Sequence, residues 1–251
     1  MPPTARASGA GAYRRYAHVY DLVWSAAPYH RFVDLCLAAA AAHGTEVQRV
    51  LVAACGTGNA ALELAGRGHR VTGFDLSPTM LRRAAVKCRA GGVRVALALG
   101  DLRAVPLRDR CADLVLCLNA SLNYLLDPAE ATAALAELGR VTAAGGTVVV
   151  EPLSARFVHD GWEPGRHLDR DGLQLDAGYE VYGDLVVERL RWTQDGVQET
   201  ETYRQRFYDD PTLEALLPAA GLRLLERRPM WPAIRAEPAR GRVLWIVRPA
   251  A

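Results

Sequence analysis

The sequence predicts an α/β fold: a doubly wound, seven-stranded, mostly parallel sheet with an antiparallel last strand, and an antiparallel β insertion after the fifth strand. Three observations predict it. From residue 48 to 151, near-continuous apolar runs alternate with amphipathic stretches, the pattern of a parallel sheet covered on both faces. Beyond Glu151-Pro152 come runs of alternating polarity at 171–182, 184–193 and 197–208. They are joined at Gly183-Asp184 and Asp195-Gly196, and an Asp-Gly pair is a strong hairpin signal. Two last apolar runs, 222–228 and 242–248, have no crossover helix between them, so they pair as a hairpin.

The elements follow in chain order. Residues 1–11 are rich in Pro, Gly and Ser and read as a disordered tail. Tyr13, Tyr16 and Tyr20 recur at helical spacing over 13–24, and Tyr29 to Ala42 reads as an amphipathic helix ended by His43-Gly44. Strands are expected at 48–54, 70–75, 93–99, 113–118 and 146–151, with helices at 59–67, 78–90 and 128–143. Ser77 caps the second helix with Pro78 at its first position. Asp127-Pro128-Ala129-Glu130 repeats that device, with Glu130 placed to bond back to the cap. Gly91-Gly92 and Gly145-Gly146 read as helix stops. A further helix takes Asp210 as its cap and Pro211 as its first residue, and ends at Gly221.

At 251 residues the chain forms one large domain, 45–151 with 209–251, interrupted by the insertion 152–208. Half the residues are hydrophobic and the formal net charge is +2, so nothing points to nucleic acid. Lys87 is the only lysine, and the arginines are scattered in pairs rather than gathered in a stripe. The five cysteines form no CxxC pair and no metal-ligand spacing with histidine, so no metal is expected. An unpatterned odd count suits a reducing compartment. The N-terminus lacks the apolar core of a signal peptide, and the run Leu37 to Ala42 is too short to span a bilayer. A cytoplasmic protein without membrane partners is expected, and a homodimer is compatible with the sequence.

The chemistry concentrates where Val50-Leu51-Val52-Ala53-Ala54 runs into Cys55-Gly56-Thr57-Gly58. Glycine lets backbone approach a ligand where a Cβ would collide. The next strand ends at Asp75, where a carboxylate can accept both hydroxyls of a ribose. An adenosine-containing small molecule is implied. Gly56-Thr57-Gly58-Asn59-Ala60-Ala61 also satisfies the dinucleotide pattern G-x-G-x-x-A, so an NAD-dependent oxidoreductase and an S-adenosylmethionine enzyme are both open on this turn alone. Three features favour the second. Gly100-Asp101-Leu102 places an acid beside an adenine, the terminal hairpin replaces further parallel units, and Lys87 has no tyrosine four residues before it as a Tyr-x-x-x-Lys couple requires.

Residues 48–151 and 209–248 together resemble the class I S-adenosylmethionine-dependent methyltransferases, with their Rossmann-like fold. The resemblance implies S-adenosyl-L-methionine as cofactor. It implies Ala54, Cys55, Gly56 and Gly58 in the binding turn, Asp75 with Leu76 at the ribose, Asp101 with Leu102 at the adenine, and Asn119 facing the sulfonium. The family usually carries an acid at Val52 and often a glycine at Ala54. Tyr13-x-x-Tyr16-Ala17-x-x-Tyr20-Asp21 and Ala120-Ser121-Leu122-Asn123-Tyr124-Leu125 resemble its small-molecule branch, the amino-sugar and glycine-type N-methyltransferases. In the amino-sugar enzymes a histidine can stand at Tyr124. That likeness implies a lid over 12–44, with Tyr16 and Tyr29 on the cofactor, and an acceptor pocket built by the insertion.

Asn123, Tyr124 and Tyr20 are the candidate catalytic residues, with Glu151 as a further polar group at a strand end. His159 and His167 are the positions where a base for a hydroxyl acceptor could lie. The expected activity is methyl transfer to a small-molecule amine, amino sugar or hydroxyl compound, nitrogen being favoured because no convincing base is visible. A nucleic-acid methyltransferase would need an Asn/Asp-Pro-Pro-aromatic signature, which Asn119-Ala120-Ser121-Leu122 is not.

Overall fold

The structure, a computed structural model, describes residues 13–154, 165–230 and 242–250. The predicted tail 1–11 and His159 lie outside the described residues.

The main sheet has seven strands: β1 (Arg49–Ala53), β2 (Arg70–Asp75), β3 (Val95–Leu99), β4 (Ala112–Cys117), β5 (Thr142–Val150), β10 (Leu222–Pro229) and β11 (Val243–Pro249). Their spatial order is β10-β11-β5-β4-β1-β2-β3. The first five are parallel, while β11 lies antiparallel between β5 and β10. The predicted terminal hairpin is therefore present, and it leaves β10 at the edge. Alternate residues of the central strands face opposite sides, which is why the runs are apolar throughout. Leu51, Val115, Cys117 and Val148 pack beneath α5 (Pro128–Val141) and α6 (Asp210–Ala219). Val50, Val52, Leu114 and Val149 face α2 (Tyr29–Ala42) and α3 (Asn59–Gly66). Each such fully buried Leu or Val contributes about 1.5–3 kcal/mol. Helix α4 (Pro78–Ala90) starts as expected, with the Ser77 hydroxyl accepting from the Met80 amide and Pro78 in the first turn.

The insertion is a separate antiparallel sheet, β6-β7-β8-β9, spanning Gly165–Arg170, Leu173–Tyr182, Leu185–Gln194 and Val197–Arg206. The β8–β9 turn bears Asp195 at φ 50° and Gly196 at φ 76°, the left-handed pair that such a hairpin needs. Strand β6 was not expected. It is exposed along almost its whole length and pairs only with β7, so it shows no apolar alternation.

Four local readings are corrected. Residues 13–24 do not form one helix: a 3-10 turn at Tyr16–His18 and a single turn α1 (Tyr20–Val23) replace it. The rings pack in several directions at once, and tertiary contact overrides the helical spacing. Helix α5 ends at Val141, and Gly145-Gly146 lie inside β5. A Cβ on Gly146 would come within 2.8 Å of the Asp113 carbonyl, so this glycine serves close strand approach, not a helix stop. The last helix is capped by Asp209, whose side chain accepts from the Thr212 amide, rather than by Asp210. Glu130 turns away from the Asp127 cap to pair with Arg103. No helix among the described residues is long and apolar enough to cross a membrane.

Candidate active site

A cleft of about 1340 Å³, counting its open mouth, lies at the carboxyl ends of β1 to β4. Parallel strands end there together, and their loops are free to shape a site. The turn after β1 is wound left-handed at Ala54 (φ 49°), Gly56 (φ 56°) and Gly58 (φ 83°). It is tied by the Cys55 amide donating to the Phe74 carbonyl and the Gly58 amide donating to the Cys55 carbonyl, both at 2.9 Å. The two glycines act differently. Gly56 lines the cleft, and a Cβ there would meet nothing within 4 Å, so the backbone itself forms the wall. Gly58 does not line the cleft: its Cβ would sit 3.0 Å from that of Ala84, so it lets α3 pack against α4.

Asp75 ends β2 and lines the cleft with Leu76. One carboxylate oxygen accepts the Gly56 amide and the other accepts the Ser77 amide, each at 2.8 Å. Burial pushes its pKa up, while the amides of Ser77, Gly56 and Leu76 pull it back. Asp101 and Leu102 line the next stretch, after β3. Asp101 is chelated by Arg103, whose guanidinium lies 2.6 Å away and holds the carboxyl below its usual range despite partial burial.

The opposite wall is aromatic. Tyr13, Tyr20, Tyr29 and Tyr124 all line the cleft. The hydroxyls of Tyr13 and Tyr124 are hydrogen-bonded to each other, and Tyr13 stacks on Tyr203 of β9 with ring centroids 4.6 Å apart. Desolvation pushes the pKa of Tyr13, Tyr20, Tyr29 and Tyr124 above the ordinary phenol value, so these hydroxyls stay protonated. Tyr16 is not among the lining residues. Only 4% exposed, it packs on Trp192 and Tyr203, where the N-terminal segment meets the insertion.

The loop after β4 carries two consecutive left-handed residues, Asn119 (φ 54°) and Ala120 (φ 57°). Asn119 lines the cleft, and its amide donates to Glu151 at 2.8 Å. Glu151 itself points away from the cleft into a buried ion pair with Arg242, which also donates to Asn119 Oδ1 at 3.1 Å. Sequence reasoning missed Arg242. Its signal was a charged residue opening the apolar run 242–248, beside the strand that ends at Glu151. Asn123 is moved out of the cleft: fully buried, it donates to the Leu153 and Arg206 carbonyls at 2.7 Å and accepts the Leu153 amide at 3.0 Å. That is an internal brace, with no polar atom left for chemistry. His167 is exposed on β6 and bonded to Asp176. Val52, where an acid was expected from the resemblance, lines the cleft as an apolar residue beside Phe32 and Leu118. Thr57 and Asn59 also line it, and neither was singled out from the sequence. Among the described residues no group of His, Cys, Asp and Glu could hold a metal ion.

Comparison with known proteins extends these observations. Residues 50–146 match the family model described as a methyltransferase domain. YqeM, a provisionally assigned methyltransferase of Bacillus subtilis (strain 168), is 30% identical over 84% of this chain and 87% of its own length. The malonyl-[acyl-carrier protein] O-methyltransferase of Serratia marcescens is 35% identical over 72% of this chain and 64% of its own length. Among solved structures, the S-adenosylmethionine-bound amino pentose methyltransferase CalS10 of Micromonospora echinaspora superposes with a TM-score of 0.74 at 25% identity, covering 91% of this chain and 95% of that one.

Proposed function

Because this chain belongs to the class I S-adenosylmethionine-dependent methyltransferases, we propose that it methylates the nitrogen of a small-molecule amine. The nicotinamide alternative falls with that membership and with the antiparallel terminal hairpin.

The cleft fits the cofactor. Gly56 presents bare backbone at an open wall, and Asp75 keeps lone-pair capacity beyond the backbone amides it accepts, as a ribose diol requires. In this reading Ala54, Cys55 and Gly56 hold the ligand through the turn, Asp101 and Leu102 flank the adenine, and Tyr29 and Asn119 border the amino-acid end. When bound, S-adenosylmethionine supplies an electrophilic methyl group on a positively charged sulfur. The chain's own work is then to orient the acceptor and keep water out, and alignment of this kind is worth several kcal/mol, on the order of 7–11 at best.

One observation carries the choice of nitrogen. The cleft's acidic and phenolic groups are either engaged elsewhere or held protonated. Asp75 and Asp101 belong to the cofactor's reading, Glu130 is paired with Arg103, and four tyrosines are kept neutral by burial. A hydroxyl acceptor would need a base there, whereas a free amine brings its own lone pair. Glu188 stands on β8 between Tyr179 and Tyr203, outside the cleft lining and hydrogen-bonded to Tyr179, and burial raises its pKa. The solved protein to which the chain is similar is named an amino pentose methyltransferase, and an amino pentose carries such an amine. The free thiols of all five cysteines suit a cytoplasmic site of action.

The test is S-adenosylhomocysteine release with paired panels of amines and their alcohol counterparts. Turnover with amines, rising with pH as the ammonium loses its proton, is expected. Turnover with alcohols alone would replace the reading with oxygen methylation, as in the malonyl-[acyl-carrier protein] relative.

A further inference from the structure

An ionic cluster behind the glycine turn has no part in the chemistry above. Lys87, the only lysine of the chain, reaches back from α4. Its ammonium donates to Asp21 Oδ1 at 2.7 Å, to the Thr57 hydroxyl at 3.2 Å and to Asn59 Oδ1. The Thr57 hydroxyl donates to the same oxygen of Asp21 at 2.6 Å. Of these residues Asp21 alone belongs to the N-terminal segment, while Thr57 and Asn59 line the cleft. The neighbour of Asp21 in α1 is Tyr20, which lines the facing wall and meets Tyr13 and Tyr16 edge to face.

The second oxygen of Asp21 is unfinished. Oδ2 lies 3.6 Å from Arg83 Nε, and both atoms are buried without a hydrogen-bond partner among the described residues. A charge-assisted bond forms at about 2.7–2.9 Å, so α1 stands less than an ångström short of making it. A buried donor and acceptor left unpaired are costly, and a small inward shift of α1 would relieve both.

We propose that Asp21, Lys87 and Arg83 form a latch that fastens the N-terminal segment over bound cofactor and sets how long the cofactor stays. This rests on the cofactor placement given above. Thr57 and Asn59 face the cleft on one side and the latch on the other, so a ligand pressing on them acts on the groups that hold Asp21. Closing the Asp21–Arg83 gap draws Tyr20, and with it Tyr13 and Tyr16, against the acceptor chamber. Asp21 and Lys87 are positioning residues in this scheme.

The experiment measures the dissociation rate of S-adenosylhomocysteine from the full chain, by displacement, in the wild type, Asp21→Asn, Lys87→Gln, and the double variant Asp21→Asn with Lys87→Gln. Each single change is expected to speed release about ten-fold, and the double variant to release no faster than Asp21→Asn alone, because the pair is lost only once. Hydrogen exchange of the wild-type amides at 20–24 is expected to slow when S-adenosylhomocysteine is added. Release within two-fold of wild type in both single variants, or exchange at 20–24 that ignores the ligand, overturns the latch. Where the variants do not fold, the wild-type exchange decides. A wild type that binds no S-adenosylhomocysteine at all refutes the cofactor placement instead.

Discussion

Replacing Asp75 by Asn tests the reading at its most exposed point. Both carboxylate oxygens already work within the chain, one accepting from Gly56 and the other from Ser77. Asparagine keeps a single oxygen. If that oxygen stays with Ser77, the new NH2 group faces the Gly56 amide, donor against donor. A hydrogen bond to a charged group is worth about 1.5–3 kcal/mol, so the fold should lose roughly that much and still form. The ligand loses more. Two ribose hydroxyls that donated to a carboxylate find one neutral acceptor, a loss of about 3 kcal/mol or a hundred-fold in the dissociation constant. Calorimetric titration with S-adenosylhomocysteine, run beside a thermal melt, separates the two effects. A folded Asp75→Asn variant that binds within three-fold of wild type would show that the carboxylate only shapes the turn.

The same group sets a pH dependence whose sign differs between folding and binding. Burial raises the Asp75 pKa in the folded chain, so ionised Asp75 opposes folding above that pKa, and the opposition is relieved as pH falls through it. Ligand binding needs the ionised form. Affinity for S-adenosylhomocysteine should therefore fall with acidification, starting above the pH of about 3.9 at which an ordinary aspartate titrates. Asp75→Asn should lack that acid limb.

Two further substitutions separate structure from chemistry. Asn123→Ala removes three hydrogen bonds inside the protein and strands the Leu153 amide, so stability should drop by about 2–4 kcal/mol in denaturant titration. Affinity for S-adenosylhomocysteine should persist in the folded fraction; its loss would return Asn123 to the site. Arg242→Met leaves Glu151 charged and buried without its counter-ion, an expected cost of about 3–5 kcal/mol. Adding Glu151→Gln should recover part of it, and equal melting temperatures in all three proteins would contradict the pairing.

What was legible in the sequence is what neighbouring residues settle among themselves. Apolar runs broken by glycine turns place β1, β2 and β4 almost to the residue, because a strand buried on both faces admits little else. Ser77-Pro78 marks the start of α4 through bonds made within a single turn. The glycine turn and Asp75 point to a nucleoside because adjacent parallel strands must end side by side. Contacts between distant segments left no such trace. Tyr13 meets Tyr124 across 111 positions, Arg242 meets Glu151 across 91, and Lys87 meets Asp21 across 66. Nothing local to either partner names the other. Tertiary packing broke the tyrosine-bearing segment 13–24 into short turns, because its rings had to meet both the cleft and the insertion. It also drew Asn123 inward as a brace, since three main-chain groups of remote strands and loops converge on its buried side chain.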